Sequence, residues 1–354
     1  MAIFRKMVLA PIALLSVGVL IAGCAGDPGT SGGETPEPGD TGGTTETQET
    51  ITLTLANSFT DDHPHSRCGA YVIAEEINAL DIGLQIDVFT NSALGGDVDR
   101  ITSVIAGDID MDIQGSSGLA TVYPAIGVMD AAYAFTGADH LFEFFDSGAA
   151  DQLQSDLLEG TGLRPLTLYF FGMRNFSANE PIRTPEDLQG LRMRFPGTPA
   201  YLANAEALGA EAVAIAFEEI FLALQQGLAD GQENPIPTVR SMSLDEVQSH
   251  VSLSGHQTGS QFVVINEDRW QSLSSEQQEA LSRVAANSRN LNRDCIDAVQ
   301  QEIIDDWTAT GQVTVVDDVD RDAFRAKANL YWEDYFTGAE LDLYRTIRDS
   351  APSS

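Results

Sequence analysis

Beyond residue 50 the chain switches repeatedly between two hydrophobic patterns. Ile51-Thr52-Leu53-Thr54-Leu55 is apolar at every second position, as a half-buried strand is, and residues 70–80 repeat at helical spacing. Leu84-Gln85-Ile86-Asp87-Val88 reads as a second strand, Gly96-Asp97 opens a helix running to Ala106, and Met111-Asp112-Ile113 forms a third strand. This β–α–β–α–β order predicts a parallel α/β sheet. Phe170 and Phe171 end a further strand, and residues 191–195 and 262–265 give two more. Thr184-Pro185-Glu186-Asp187 marks a helix start: a Thr cap, Pro at the first helical position, then two acids at the positive end of the dipole. Helices are expected over 199–208 and 217–229, the latter ending at Gly231.

The last third opens with Ser274-Ser275-Glu276-Gln277-Gln278, a capping-box signature. Leu281, Val284, Ser288, Leu291, Cys295, Val299, Ile303 and Trp307 then recur every three or four residues. The stripe predicts one helix over 276–309, roughly 50 Å long, stopping at Gly311. That length exceeds one small domain, so the helix is expected to span two.

The N-terminal segment has another character. Arg5 and Lys6 precede a mostly apolar run from Met7 to Ala22, interrupted by Pro11, Ser16 and Gly18. Sixteen residues are short for a membrane span, which needs roughly 20. The pattern reads as a secretory signal over 1–23. It ends in Leu20-Ile21-Ala22-Gly23-Cys24, similar to the lipobox of bacterial-type lipoproteins, with Cys24 the lipidated residue. Residues 25–50 hold seven Gly, seven Thr, three Pro and six acids, too little apolar surface to offset ordering entropy. Residues 24–50 are therefore expected to be a disordered tether, on the order of 28 Å long. The folded part is placed in the cell envelope, outside the cytoplasmic membrane and attached by lipid alone.

Charge narrows the partners. The 354 residues carry 53 acids and 19 bases (17 Arg, two Lys), a formal balance of −34. Such a surface excludes nucleic acid, which needs a basic footprint. It would suit a high-salt milieu, where self-repulsion is screened; ordinary solubility in a compositionally biased genome is the alternative.

Enzyme signatures are absent from the sequence. Gly115-Ser116-Ser117-Gly118 has the wrong spacing for a nucleophile elbow, and there is no phosphate loop or dinucleotide fingerprint. His63-Pro64-His65 reads as a turn beginning a helix rather than a metal site, and His140, His250 and His256 are scattered. Neither an enzyme, a cofactor nor a metal is expected. Cys68 and Cys295 both fall on predicted helices; an exported compartment permits a bridge between them, with free buried thiols as the alternative.

With so few bases, arginines beside apolar strands carry weight. Gly172-Met173-Arg174 ends one strand. In Leu191-Arg192-Met193-Arg194-Phe195, alternation puts Arg192 and Arg194 on the face opposite Leu191, Met193 and Phe195. An inward Arg meets a carboxylate, because its fork pairs two oxygens at once. Spacing alone does not say whether that carboxylate belongs to a ligand or to an internal salt bridge.

These segments also carry a resemblance. Gly172-Met173-Arg174, then Thr184-Pro185-Glu186-Asp187-Leu188-Gln189-Gly190-Leu191-Arg192-Met193-Arg194, Ala207-Leu208-Gly209-Ala210 and Phe217-Glu218-Glu219 resemble the solute-binding proteins of TRAP transporters. So does Ala223-Leu224-Gln225-Gln226-Gly227-Leu228-Ala229-Asp230-Gly231-Gln232-Glu233-Asn234-Pro235, with Leu94-Gly95-Gly96-Asp97 and Glu246-Val247-Gln248 also fitting. The likeness covers residues 51–345.

The resemblance implies a two-lobed, periplasmic-binding-protein-like α/β fold with a sheet in each lobe and the long C-terminal helix spanning both. Lobe I would comprise 51–171 plus about 260–299, lobe II 172–259 plus about 300–350. A small organic acid would bind in the interlobe cleft and pass to the small and large permease subunits of a TRAP transporter; a monomer is expected. The family's carboxylate-gripping arginine matches Arg194, joined by Arg174 and Asn234, with Phe217 packing on the ligand body. From the other lobe, Asn57, Ser58 and Phe59 and the strand end Gln114-Gly115-Ser116 should face the cleft. Because no acid occupies that strand end, a cationic ligand group would lack a partner, which favours a plain carboxylate. The competing reading is a ligand-sensing protein that presents solute to a membrane signalling receptor.

Overall fold

The computed structural model describes residues 50–352. The leader over 1–23, Cys24 and all but the last residue of the 24–50 tether lie outside the described residues. Nine strands occur among the described residues: β1 (Ile51–Asn57), β2 (Leu84–Phe89), β3 (Met111–Gly115), β4 (Leu163–Ala178), β5 (Arg192–Phe195), β6 (Glu211–Ala214), β7 (Gly231–Asn234), β8 (His250–Asn266) and β9 (Thr314–Val316). They hydrogen-bond in the order β2-β1-β3-β8-β4-β7-β5-β6, with β9 added to β8.

Each end of that path is a small parallel sheet. β1 lies between β2 and β3, and β5 between β6 and β7. Helices Tyr71–Asn78 and Asp97–Ala106 make the first crossovers, and Pro199–Leu208 one of the second. The two long strands β4 and β8 join the ends, so the expected pair of sheets forms one continuous hydrogen-bonded path. β3 pairs with the C-terminal part of β8 (Met111 opposite Ile265), whereas β7 pairs with the C-terminal part of β4 (Asn175 opposite Asn234). Between these regions Gly172 of β4 lies opposite Gly259 of β8. Gly172 needs its φ of +115°, and a Cβ there would come within 2.7 Å of the Pro235 Cβ.

The long helix is Ser275–Thr310, one residue longer at each end than the stripe predicts. Ser274 accepts from the Gln277 amide, Gln277 reaches back, and Gly311 ends the helix in the left-handed region. Leu281, Val284 and Ala285 pack with Leu53, Leu55 and Ile86, while Ile303 and Trp307 pack with Ile220, Leu224 and Val239. One helix thus supports both ends of the sheet. Within its stripe, Leu291 is exposed, and Asn292 and Ile296 are buried instead. Cys68 and Cys295 are joined by a disulfide, their Cα atoms 6.4 Å apart, tying the single π-helical turn Ser66–Ala70 to the middle of this helix.

Two helical expectations shorten. The capping box at Thr184 forms, but it opens only the 3-10 turn Pro185–Leu188, because Gln189 is extended and Gly190 turns the chain (φ +80°) towards β5. Over 217–229 the chain makes a 3-10 turn, Phe217–Glu219, and then a helix, Ile220–Gln225, stopped by Gly227 at φ +67°.

Candidate ligand-binding site

A cavity of about 360 Å³ lies where the two ends of the sheet face each other. One wall comes from Ser58 and Phe59 after β1, Asp97 at the start of helix Asp97–Ala106, and Gln114 and Gly115 at the end of β3. The other comes from Arg174 on β4, Arg194 on β5, Asn234 at the end of β7, and Thr198 and Phe217.

β5 has Met193 and Phe195 in the core and turns Arg194 to the cavity. Arg194 is 2% exposed; its Nε donates to the Ile215 carbonyl at 2.9 Å, and its Nη1 is buried with no hydrogen-bond partner. Burial pulls its pKa down to about 10; Glu233 opposes this, and Arg174 adds repulsion. A buried guanidinium nitrogen without an acceptor is costly, and an incoming oxyanion relieves that cost. Arg192 instead lies at the surface, where its Nε and Nη2 pair with Asp230 at 2.9 and 2.6 Å. Asp230 thus holds Arg192 in a surface ion pair, whereas Arg194 faces the cavity.

Arg174 differs again. It is 3% exposed, and its Nε and Nη2 grip the fully buried carboxylate of Glu233, with Nη2 also donating to the Glu233 carbonyl at 2.8 Å. Burial opposes its charge, but Glu233 outweighs burial and holds the pKa above its ordinary value. His256 stands behind, its Nε2 3.4 Å from the same carboxylate and its ring stacked on Phe176. Asn234 donates to the Gln232 side chain at 2.6 Å, which orients its amide within the wall.

Phe59 and Phe217 line the cavity with ring centres 6.1 Å apart, and Phe171 packs 5.5 Å from Phe59. Gln114 lines it too, donating to the Asp97 carbonyl and to Asp112. Asn57 and Ser116 do not line it, contrary to expectation. The Asn57 Oδ1 takes the Phe59 amide at 2.8 Å and so shapes the turn presenting Phe59, while Ser116 is held by Asp130.

Among the lining residues not singled out from the sequence are Tyr201, Asp97, Asp99, Glu218 and Thr198, whose buried Oγ1 has no partner among the described residues. Glu218 sits in a first turn, where the helix dipole already explains an acid, and Asp97 reads only as the opening of a helix. They place acids in the cavity away from the strand end 114–116, which carries none.

A sheet in two parts, crossed by two long strands and enclosing a cavity whose buried Arg194 has no carboxylate partner among the described residues, defines a two-lobed α/β binding protein. Comparison with known proteins names the lineage. Residues 72–338 match the family described as "Bacterial extracellular solute-binding protein, family 7", and the chain belongs to that family of TRAP-type transport receptors, which are not enzymes. It is 34% identical over 242 residues to the 2,3-diketo-L-gulonate-binding periplasmic protein of Escherichia coli, covering 68% of this chain and 73% of that one. A TRAP periplasmic solute-binding protein of Roseobacter denitrificans, solved with bound L-galactonate, superposes with a TM-score of 0.78 at 29% identity, covering 85% of this chain and 99% of that one. One from Xanthobacter autotrophicus with bound β-D-galacturonate gives 0.77 at 28% identity, covering 84% and 99%.

Proposed function

We propose that this receptor binds a small organic acid by one carboxylate on Arg194 and delivers it to the small and large membrane subunits of a TRAP transporter. The observation carrying this reading is the partnerless, buried Nη1 of Arg194 at a cavity of about 360 Å³. That volume falls within the roughly 300–1,000 Å³ of small-molecule sites. Arg174 and Asn234 complete the polar wall, and Phe59 and Phe217 pack on the ligand body. The sugar acids held by the structural relatives are of this chemical class.

Lobe I is 51–171 plus about 260–299, and lobe II is 172–259 plus about 300–350. The pairing of Gly172 with Gly259 supports that division, since both boundaries fall beside it. Lipidation of Cys24 tethers the monomer outside the cytoplasmic membrane; Cys24→Ser should leave the membrane fraction, and its retention after a carbonate wash counts against the anchor. Arg194→Ala tests the site. Losing one partner of a buried charge pair costs roughly 2–5 kcal/mol, so titration calorimetry with L-galactonate and β-D-galacturonate should show affinity reduced about 30- to several-thousand-fold. Wild-type affinity in that variant overturns the assignment.

A further inference from the structure

We infer that the cavity admits one carboxylate per ligand, and that Asp97 and Glu218 are the specificity-determining residues that reject a second. This rests on the reading that Arg194 anchors the ligand.

Arg174 and Arg194 are the basic residues among those lining the cavity. The charge of Arg174 is balanced by Glu233, which it grips through Nε and Nη2, leaving Arg194 as the lining cation without a carboxylate partner among the described residues. Asp97, Asp99 and Glu218 line the same cavity. Asp97 accepts from Arg100 at 3.0 Å and from the Ser58 hydroxyl, and the same guanidinium is shared with Asp112 at 3.1 Å. Glu218 accepts from the Ser92 hydroxyl at 3.0 Å, and its carboxylate lies over Gly96, the residue capping helix Asp97–Ala106. Neither Asp99 nor Glu218 forms an ion pair among the described residues.

Once the first carboxylate sits on Arg194, a second meets the negative charge of half-buried Asp97 and of Glu218 and Asp99 at the exposed edge of the cavity, a repulsion that added salt weakens. Hydroxyl groups meet the opposite situation. Carboxylates accept their hydrogen bonds, and the buried Thr198 Oγ1 has no partner of its own. The preferred ligand is therefore a polyhydroxylated monocarboxylate, and a dicarboxylate of equal length is discriminated against.

Matched acids test this. L-Galactonate and galactarate share a carbon skeleton and differ by a terminal hydroxymethyl against a second carboxylate; D-gluconate and D-glucarate form a second such pair. Calorimetry on the purified protein should find each diacid at least about thirtyfold weaker than its monoacid. Glu218→Gln should narrow that ratio several-fold, with the diacid gaining most. A diacid that binds as tightly as its monoacid, with binding still lost in Arg194→Ala, overturns this inference and leaves the Arg194 anchor standing. Monoacid binding that survives Arg194→Ala overturns the anchor and this inference with it. Absence of binding by all four acids overturns the ligand class.

Discussion

Glu233→Gln isolates the charge pair beneath the cavity. The substitution keeps the side chain's shape and removes only its charge, so the Arg174 guanidinium stays buried without its carboxylate. Breaking a buried pair from one side costs about 3–5 kcal/mol. The unfolding entropy of about 300 residues, at ~2.1 cal/mol/K each, converts that loss to roughly 5–8 °C in Tm. Circular dichroism melts and urea titrations of wild type and variant at neutral pH measure it. The pH dependence gives an independent check. Burial alone would raise the Glu233 pKa, but Arg174 and His256 hold it below the ordinary carboxylate value. A depressed folded pKa contributes stability above the unfolded pKa, near 4.3, that is lost as pH falls through the folded value. The difference between the two proteins should therefore shrink in acid. Equal stabilities at neutral pH would refute the argument, because they would mean Arg174 is held by something other than Glu233.

Other outcomes follow from the same structure. The Cys68–Cys295 bridge has a sequence separation of 227, so Cys68→Ser with Cys295→Ser should lower equilibrium stability by up to roughly 5 kcal/mol, and a reductant that leaves the wild type unaffected would contradict the bridge. Burial holds His63 well below its ordinary pKa and His65 down to about 3, whereas histidines of the unfolded chain titrate near 6.5. The unfolded state thus takes up protons first, and these histidines give full stability above about pH 6.5 that declines below it. Asp112 and Asp130, pushed up to about 7 by burial, act in the opposite sense, so the test is a difference: His65→Gln should flatten the acid-side loss by up to about 1.4 kcal/mol per pH unit, and an unchanged slope would refute it.

Much of this architecture was legible because local signals and tertiary packing agree. The alternation of β1, the opening of helix Asp97–Ala106, and the capping box and glycine stop of the long helix are explicit in the sequence. β4 was visible only around Phe170 and Phe171, in its middle, where the sequence reading ends the strand that in fact runs on to Ala178, and β8 only near its end, at 262–265. Both are largely buried on either face, which removes the polar–apolar alternation, and register shifts beside Thr167, Gly172 and Phe176 break what remains. At the site, Arg194 and Arg192 look alike in sequence because both sit on one face of a strand; Asp230, 38 residues from Arg192, separates them. Glu233 could be quoted from a motif, yet its pairing with Arg174 depends on β4 and β7 lying side by side. Asp97 and Glu218 were masked by a sufficient local explanation. A helix-start acid and a cavity-lining acid are the same residue type at the same position, and only the fold shows which surface it faces.

The central claim is that Arg194 receives the ligand's carboxylate, and a crystal structure of the protein with L-galactonate tests it most directly. A carboxylate oxygen is expected about 2.7–2.9 Å from Arg194 Nη1, with Arg174 still paired to Glu233 and the hydroxylated end of the ligand towards Asp97 and Glu218. A carboxylate seated on any other group, with Arg194 Nη1 left without an acceptor, would contradict it.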